Sequence, residues 1–265
     1  MKNATVIVDC TDRVATVTLN RPTVRNALDF EMMDALVSNL TRLAEDASLR
    51  VIVLRGAGDH FMAGGDVRAF AERIDQPAAH RGEYFGRSIQ RLHAAIEALQ
   101  RMPHAVIARV QGAVAGFGFS LLCACDLAVA ADDAYFASAY RNLALTPDGG
   151  LTFALPRIVG LRKALEILLL SQRLDATAAL QLGLVNKVVP AAELDSVVAA
   201  WAISLATGPP LALRNVKRLA RQSFDRTLSE QLHAEALSFA ACAATTDFAE
   251  GVRAFIEKRK PRFDR

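Results

Sequence analysis

The sequence predicts an α/β fold in which a sheet-bearing core is followed by a helical region. Short apolar runs at residues 51–54 and 105–110 have the length and β-branched content of buried strands. Segments of helical apolar spacing separate them, and from Leu161 onward that spacing dominates. Through residue 137 the order is strand, helix, strand, helix, strand, helix, strand, which implies right-handed ββα-type crossovers stacked on one another.

Residues 6–9 and 14–19 alternate like a strand pair, with Thr11, Asp12 and Arg13 as the turn. Arg21-Pro22 ends that pairing. Phe30, Met33, Leu36, Val37, Leu40, Leu43 and Ala44 then recur at helical spacing, with Asp29 placed to cap the helix and Leu28 to staple to Met33. After the strand at 51–54, a Gly56-Ala57-Gly58 turn and a loop lead to a helical stretch beyond Asp66. A helix over 82–102 stops at Pro103, and the strand at 105–110 follows. Residues 112–118 read as a glycine-broken turn, 120–125 as a short helix, and 126–131 and 135–137 as strands. Helices are expected over 161–171, 176–182, 194–206, 210–223, 228–243 and 247–258, with one strand at 184–189. The expected division is a core over 1–195 and a C-terminal helical oligomerisation region over 196–265.

With 265 residues, 52% of them hydrophobic and 22% charged, the chain has the composition of a globular protein with a substantial core. Lys2, Asp9, Asp12 and Arg13 interrupt any apolar leader, and no apolar stretch has the length of a bilayer span. Four cysteines lack metal-ligand or disulfide-framework spacing, so they read as buried free thiols in a reducing cytoplasm. Basic residues crowd the end, at Lys258, Arg259, Lys260, Arg262 and Arg265, suiting either a solvated tail or an anionic ligand such as a nucleotide phosphate. No aromatic-rich platform accompanies them, which argues against nucleic acid, and membrane association is not expected either.

No complete dinucleotide fingerprint, P-loop, HExxH helix or GxSxG elbow is present, and the five histidines are scattered and read as surface or helix-face residues. Two glycine-rich turns remain, residues 60–67 and 112–120, each following a buried strand. Glycines between a strand and a helix let the backbone approach a ligand and leave amides pointing outward. Two such turns converging would set two N–H groups on one carbonyl oxygen, the geometry of an oxyanion hole; each alone reads equally as a tight structural turn.

Together with their context these segments resemble the crotonase (enoyl-CoA hydratase/isomerase) superfamily across nearly the whole chain. The resemblance rests on Asn20-Arg21-Pro22 with Arg25-Asn26-Ala27-Leu28, on Phe61-Met62-Ala63-Gly64-Gly65-Asp66, on residues 112–126 ending in Cys125-Asp126, and on Pro156-Arg157 with Val159-Gly160 followed by residues 176–188. It implies a spiral of stacked ββα units, a coenzyme A thioester as substrate, a role in fatty-acid metabolism, a cytoplasmic location, and a homotrimer or dimer of trimers. It implies no cofactor apart from the coenzyme A carried by the substrate, and no metal. The backbone amides of Gly65 and Phe117 align with the two oxyanion donors. Arg25, Ala27, Ala63, Asp66 and Val67 align with the residues that wrap the adenine and phosphates, and Lys260 with a tail that reaches a phosphate.

The hydratases of this family carry two glutamates where this sequence aligns Ser120 and Tyr140. Hydration needs a water deprotonated and a proton delivered, work that neither hydroxyl does near neutral pH. Asp148, in Pro147-Asp148-Gly149-Gly150, resembles the single aspartate of relatives that shift a double bond or isomerise a ring epoxide. One carboxylate suffices for a 1,3-proton shift, although Pro-Asp-Gly is also a common β-turn sequence. Ser120, Tyr140 and Ser138, with Met62, Phe70, Phe85 and Phe117, are expected to line the acyl pocket, which would push the pKa of Asp148 up. The leading expectation is an acyl-CoA isomerase. The alternatives are a thioester hydrolase, a displacement with Asp148 as nucleophile, an atypical hydratase, and a catalytically silent acyl-CoA-binding protein.

Overall fold

The computed structural model describes residues 4–263; Lys2 and Arg265 of the sequence reading lie outside them. Strands β1 (Val6–Thr11) and β2 (Val14–Leu19) form an antiparallel hairpin. Its central residues Asp12 and Arg13 both take positive φ, 49° and 67°, as a two-residue primed turn requires. Strands β3 (Val51–Gly56) and β4 (Ala105–Val110) continue the sheet in parallel. Three more strands follow: β5 (Ala113–Ala115), β6 (Leu127–Ala131) and β7 (Tyr135–Ala137). Adding β8 (Leu174–Asp175) and β9 (Lys187–Val189), the strands divide into a six-stranded sheet, β1-β2-β3-β4-β6-β9, and a three-stranded sheet, β5-β7-β8. A chain that alternates between the two sheets with helices between is the spiral of stacked ββα units expected from the sequence.

Helix α1 (Phe30–Glu45) starts where the Asp29 carboxylate accepts the Met32 N–H at 2.8 Å. Its periodic face buries Met32, Met33, Leu36, Leu40 and Leu43, each stabilising by about 1.5–3 kcal/mol relative to exposure. Helix α2 (Val67–Ala71) is capped by Asp66, and α3 (Ala78–Arg101) starts four residues before the expected position and packs along α1. Between β5 and β6 lies α4 (Phe117–Ala124), every residue of which is buried.

The turn expected at 112–118 is in fact strand β5 followed by the first residues of α4. The Val114 segment pairs on one side with β7 and on the other bridges Met62, so its partners are distant in sequence. Helix α5 (Leu151–Val159) is not among the helices expected from the sequence, where Pro147-Asp148-Gly149-Gly150 reads as a turn and Pro156-Arg157 enters only through the resemblance. Gly150 instead sits at φ 74° just before the helix, and Pro156 is accommodated inside it.

The remaining helices are α6 (Leu161–Leu170), α7 (Ala176–Gln181), α8 (Leu194–Ala206), α9 (Pro210–Gln222), α10 (Leu228–Ala243) and α11 (Thr246–Ile256). The expected boundary at 195/196 falls inside α8, whose Leu194, Val198, Ala202 and Ala206 pack on Val51, Val53, Ile107 and Val129 of the larger sheet. Helix α9 is pinned to the sheet by charge: Asp126 meets Lys217 Nζ at 2.8 Å and Arg221 Nη2 at 2.6 Å. No single described helix is long and apolar enough to cross a membrane. The four cysteines are free, but Cys10 is exposed rather than buried because it lies on the edge strand β1.

Candidate active site

The two glycine-rich turns meet. A Cβ built on Gly64 would stand 3.3 Å from the Gly116 Cα, and one built on Gly116 would stand 3.3 Å from the Gly64 Cα. A Cβ on Gly118 would stand 2.4 Å from the Met62 carbonyl oxygen, so only glycine allows this approach. Two backbone bonds lace the turns together: Met62 N–H to the Ala113 carbonyl at 3.0 Å and Ala115 N–H to the Met62 carbonyl at 2.9 Å.

The residues that follow the facing glycines, Gly65 and Phe117, are set by this contact. Leu28 pairs with both neighbours of Gly65, donating to the Gly64 carbonyl at 2.7 Å and accepting the Asp66 N–H at 2.9 Å. In such a parallel bridge the bridged residue turns its own N–H to the opposite side, so Gly65 N–H points away from Leu28. Phe117 opens α4, where the first amides have no intrahelical acceptor. Among the described residues neither N–H is donated to a protein acceptor.

The first turn is carried by the β2–α1 connection. The Asn26 side chain, fully buried, donates to the carbonyls of Ala57 at 2.9 Å and His60 at 2.7 Å, and accepts Arg21 N–H at 2.9 Å. Arg25 is exposed, takes a left-handed φ of 56°, and its carbonyl accepts Ala63 N–H at 3.0 Å. The buried Ala27 offers its carbonyl to the Arg21 guanidinium. Asp66 is committed twice, to Arg21 Nη2 at 2.9 Å and to Arg68 N–H at 3.1 Å. Val67 is half exposed beside it. Lys260 is exposed after α11, and no hydrogen bond or ion pair joins its side chain to this region among the described residues.

The Asp148 segment completes the cluster. A Cβ on Gly149, whose φ is 56°, would stand 2.8 Å from both the Phe117 ring and Ser120 Cβ, so this turn is seated on α4. Tyr140 Oη donates to Asp148 Oδ1 at 2.6 Å; Ser120 Oγ donates to the Asp148 carbonyl at 2.9 Å and lies 3.0 Å from Tyr140 Oη. Burial pushes the pKa of Asp148 above its ordinary value, opposed by the hydrogen bond from Tyr140. Burial, followed by the Asp148 charge, pushes the Tyr140 phenol up as well, so it stays a neutral donor. Ser120 and Tyr140 are therefore joined to Asp148, an arrangement the sequence reading did not contain.

Two expectations change here. Met62 and Ser138 are fully buried and serve the core: Met62 in the bridge to Val114, and Ser138 through Ser171 Oγ at 3.2 Å. His93, read as a helix-face residue, reaches the site, where its Nε2 accepts Gly149 N–H at 3.3 Å. Its spacing on α3 beside the buried Leu92 and Ile96 is the sequence signal that marks it as half-inward. Phe70 closes one side, its ring standing 2.6 Å from the position of a Cβ on Gly65, and it packs edge-on against Phe85 at 5.2 Å between centroids. Two surface clefts lie elsewhere, one of about 480 Å³ along Phe30, Tyr84 and Arg91 and one of about 250 Å³ between α9 and α10; neither is lined by Asp148, Gly65 or Phe117.

The spiral fold thus brings two glycine turns together, with the Gly65 and Phe117 amides facing no protein acceptor among the described residues, beside the partly buried carboxyl of Asp148. A family model described as enoyl-CoA hydratase/isomerase matches residues 9–265. The chain is 35% identical over 264 residues to a protein of Rhodobacter capsulatus named probable enoyl-CoA hydratase, covering 99% of each. It is 34% identical over 251 residues to the 1,2-epoxyphenylacetyl-CoA isomerase of Escherichia coli, covering 94% of each. The crystal structure of an enoyl-CoA hydratase from Polaromonas sp. JS666 superposes with a TM-score of 0.90 at 34% identity, covering 97% of this chain and 98% of that one. The chain belongs to the enoyl-CoA hydratase/isomerase family.

Proposed function

We infer that the chain is an acyl-CoA isomerase that holds a thioester enolate on the Gly65 and Phe117 amides and moves a proton with Asp148. In a 3-enoyl thioester the Asp148 carboxylate takes a proton from carbon two. The resulting dienolate oxygen accepts the two N–H groups, and the carboxylic acid then returns the proton to carbon four. The sequence of steps is redox-neutral and calls for no cofactor beyond the coenzyme A of the substrate. A ring-epoxide thioester is the related substrate class, since it too reacts through loss of the proton beside the thioester carbonyl.

The observation that carries this reading is the state of Asp148: partly buried, shifted toward the proton-holding form, and aimed by Tyr140. No second carboxylate joins that hydrogen-bonded group among the described residues, whereas hydration divides its work between two. Asp66, the nearest acid in the first turn, is occupied by Arg21 and by capping α2. Ser120 and Tyr140 act on the acyl group through Asp148. Arg25, Ala27, Ala63, Asp66 and Val67 form the adenine and phosphate side, mainly with backbone groups, and Lys260 meets a phosphate from the tail.

Assembly into a homotrimer or a dimer of trimers in the cytoplasm belongs to the same proposal. Support for the assembly comes from apolar side chains in water on α10 and α11, among them Leu228, Phe239 and Phe255, 75%, 73% and 85% exposed. The hydratase reading is favoured by the names of relatives such as the Rhodobacter protein. Incubation with 3-enoyl-CoA, 2-enoyl-CoA and ring-epoxide thioesters in D2O separates the two. Isomer formation with deuterium entering carbons two and four supports the proton shift, while a 3-hydroxyacyl product from 2-enoyl-CoA overturns it.

A further inference from the structure

We propose that His93 is a positioning residue for Asp148, holding the Asp148-Gly149 peptide through the hydrogen bond from Gly149 N–H to its Nε2. The inference rests on the reading of Asp148 as the proton carrier and says what keeps that carboxyl in place.

Three anchors act on this turn, each on a different atom. Tyr140 holds the Asp148 carboxylate, Ser120 holds the Asp148 carbonyl, and His93 takes the N–H on the far side of the same peptide bond, at 3.3 Å. A peptide unit is planar, so fixing its carbonyl oxygen and its N–H fixes its orientation and the placement of the Asp148 Cα at its edge, while Tyr140 holds the side chain that leaves that atom. The turn needs such external anchoring. Gly149 and Gly150 both take positive φ, 56° and 74°, where glycine carries little conformational restraint of its own. Ser120 comes from α4 and His93 from α3, two helices that pack together, so the clamp on the peptide is built across their contact.

The bond also dictates the state of the ring. Gly149 N–H is a donor and cannot be otherwise, so Nε2 must be the acceptor and the proton of the neutral imidazole sits on Nδ1. A proton added to Nε2 would oppose the Gly149 N–H and end the bond. His93 touches the reaction only through Asp148; its ring is engaged by the backbone of the turn.

The test compares His93→Ala with His93→Gln, whose amide oxygen reaches about as far as Nε2 and restores an acceptor. Steady-state turnover of 3-enoyl-CoA is measured for both beside Asp148→Asn and wild type, with thermal melting as the control for folding. The expected result is a fall in kcat of about 100-fold in His93→Ala, the scale of an ångström-sized misplacement of a reacting group, with KM and melting temperature nearly unchanged. Most of that fall is recovered in His93→Gln. Full kcat in His93→Ala, equal loss in both variants, or a KM that moves together with kcat each overturns the inference. The dependence on Asp148 is read separately: an active Asp148→Asn removes the proton-carrier reading itself, whereas an inactive Asp148→Asn with a fully active His93→Ala removes only the role of the histidine.

Discussion

Tyr140 Oη lies 2.6 Å from Asp148 Oδ1, and the phenol is the donor. A short bond to a carboxylate is among the stronger neutral-donor hydrogen bonds a protein makes, and here it is partly shielded from water. It favours the ionised form of Asp148 against the burial that disfavours it. The two effects leave a carboxyl whose affinity for a proton is raised, as the proposed proton shift would use.

Removing that donor shifts the balance in one direction. In Tyr140→Phe the pKa of Asp148 rises further, so the acid limb of kcat/KM moves to higher pH. Activity near the limb falls while activity at higher pH is better preserved. A pH–rate profile checks this, and a limb that stays in place would show that Tyr140 does not act on Asp148. The lost bond also costs about 1 kcal/mol of stability, measurable by denaturant titration.

Asp148→Asn should cut turnover by about 10²–10⁴-fold, the usual contribution of a positioned acid–base group. Its effect on stability has the opposite sign. The folded-state pKa of Asp148 lies above the unfolded one, so the native form binds the proton more tightly. The stabilising contribution is complete below the unfolded pKa and is lost as pH rises through the folded value. Asparagine removes that loss, so Asp148→Asn melts higher than wild type at neutral pH, and the advantage disappears in acid. Melting curves across this range decide it; a variant less stable at neutral pH contradicts the assignment.

Gly118→Ala tests the contact between the two turns. The added methyl would sit 2.4 Å from the Met62 carbonyl oxygen, backbone that cannot move without breaking the bond to Ala115. Overpacking of this kind costs about 1–3 kcal/mol, and turnover drops because the Gly65 and Phe117 segments separate. Unchanged melting and turnover would mean the turns tolerate a spacing they do not show.

Asp126→Ala tests how the helical region is held. The variant strands Lys217, which is largely buried and whose pKa burial already pushes down, with only the Leu99 and His104 carbonyls for company. Removing one partner of such a pair costs about 3–5 kcal/mol. Lowered denaturation midpoints together with faster proteolysis near α9 are expected; intact resistance at α9 would show that packing alone holds it.

Periodicity made the long elements legible. Helix α1 was readable down to its Asp29 cap, because apolar spacing and a capping carboxylate are local signals. Strand β5 was not, since three residues between glycines carry no pattern and their partners, Met62 and Phe136, lie far away in sequence. Helix α5 was hidden by Gly149, Gly150 and Pro156, residues that ordinarily end helices and here serve the turn and the helix's later course. Asp148, Ser120 and Tyr140 were visible as separate candidates. That they form one hydrogen-bonded group, and that His93 joins it from α3, depends on how α3 and α4 pack, which no local pattern encodes. Asn26 was seen only as part of a resemblance, yet its side-chain amide organises the first turn.

That role of Asn26 bears on how such a scaffold acquires new substrates. In the proposed reaction the groups that meet the thioester belong to the main chain: Gly65 follows a turn organised by the Asn26 amide, and Phe117 opens α4. Phe70 can consequently be exchanged to reshape the space beside Gly65, whereas the buried Phe117 ring also seats the Gly149 turn and is held by that contact. On the proposed function, chemistry carried by main-chain donors and selectivity carried by side chains such as Phe70 would be separable, and substitutions that leave residue 26 alone would explore the second while conserving the first.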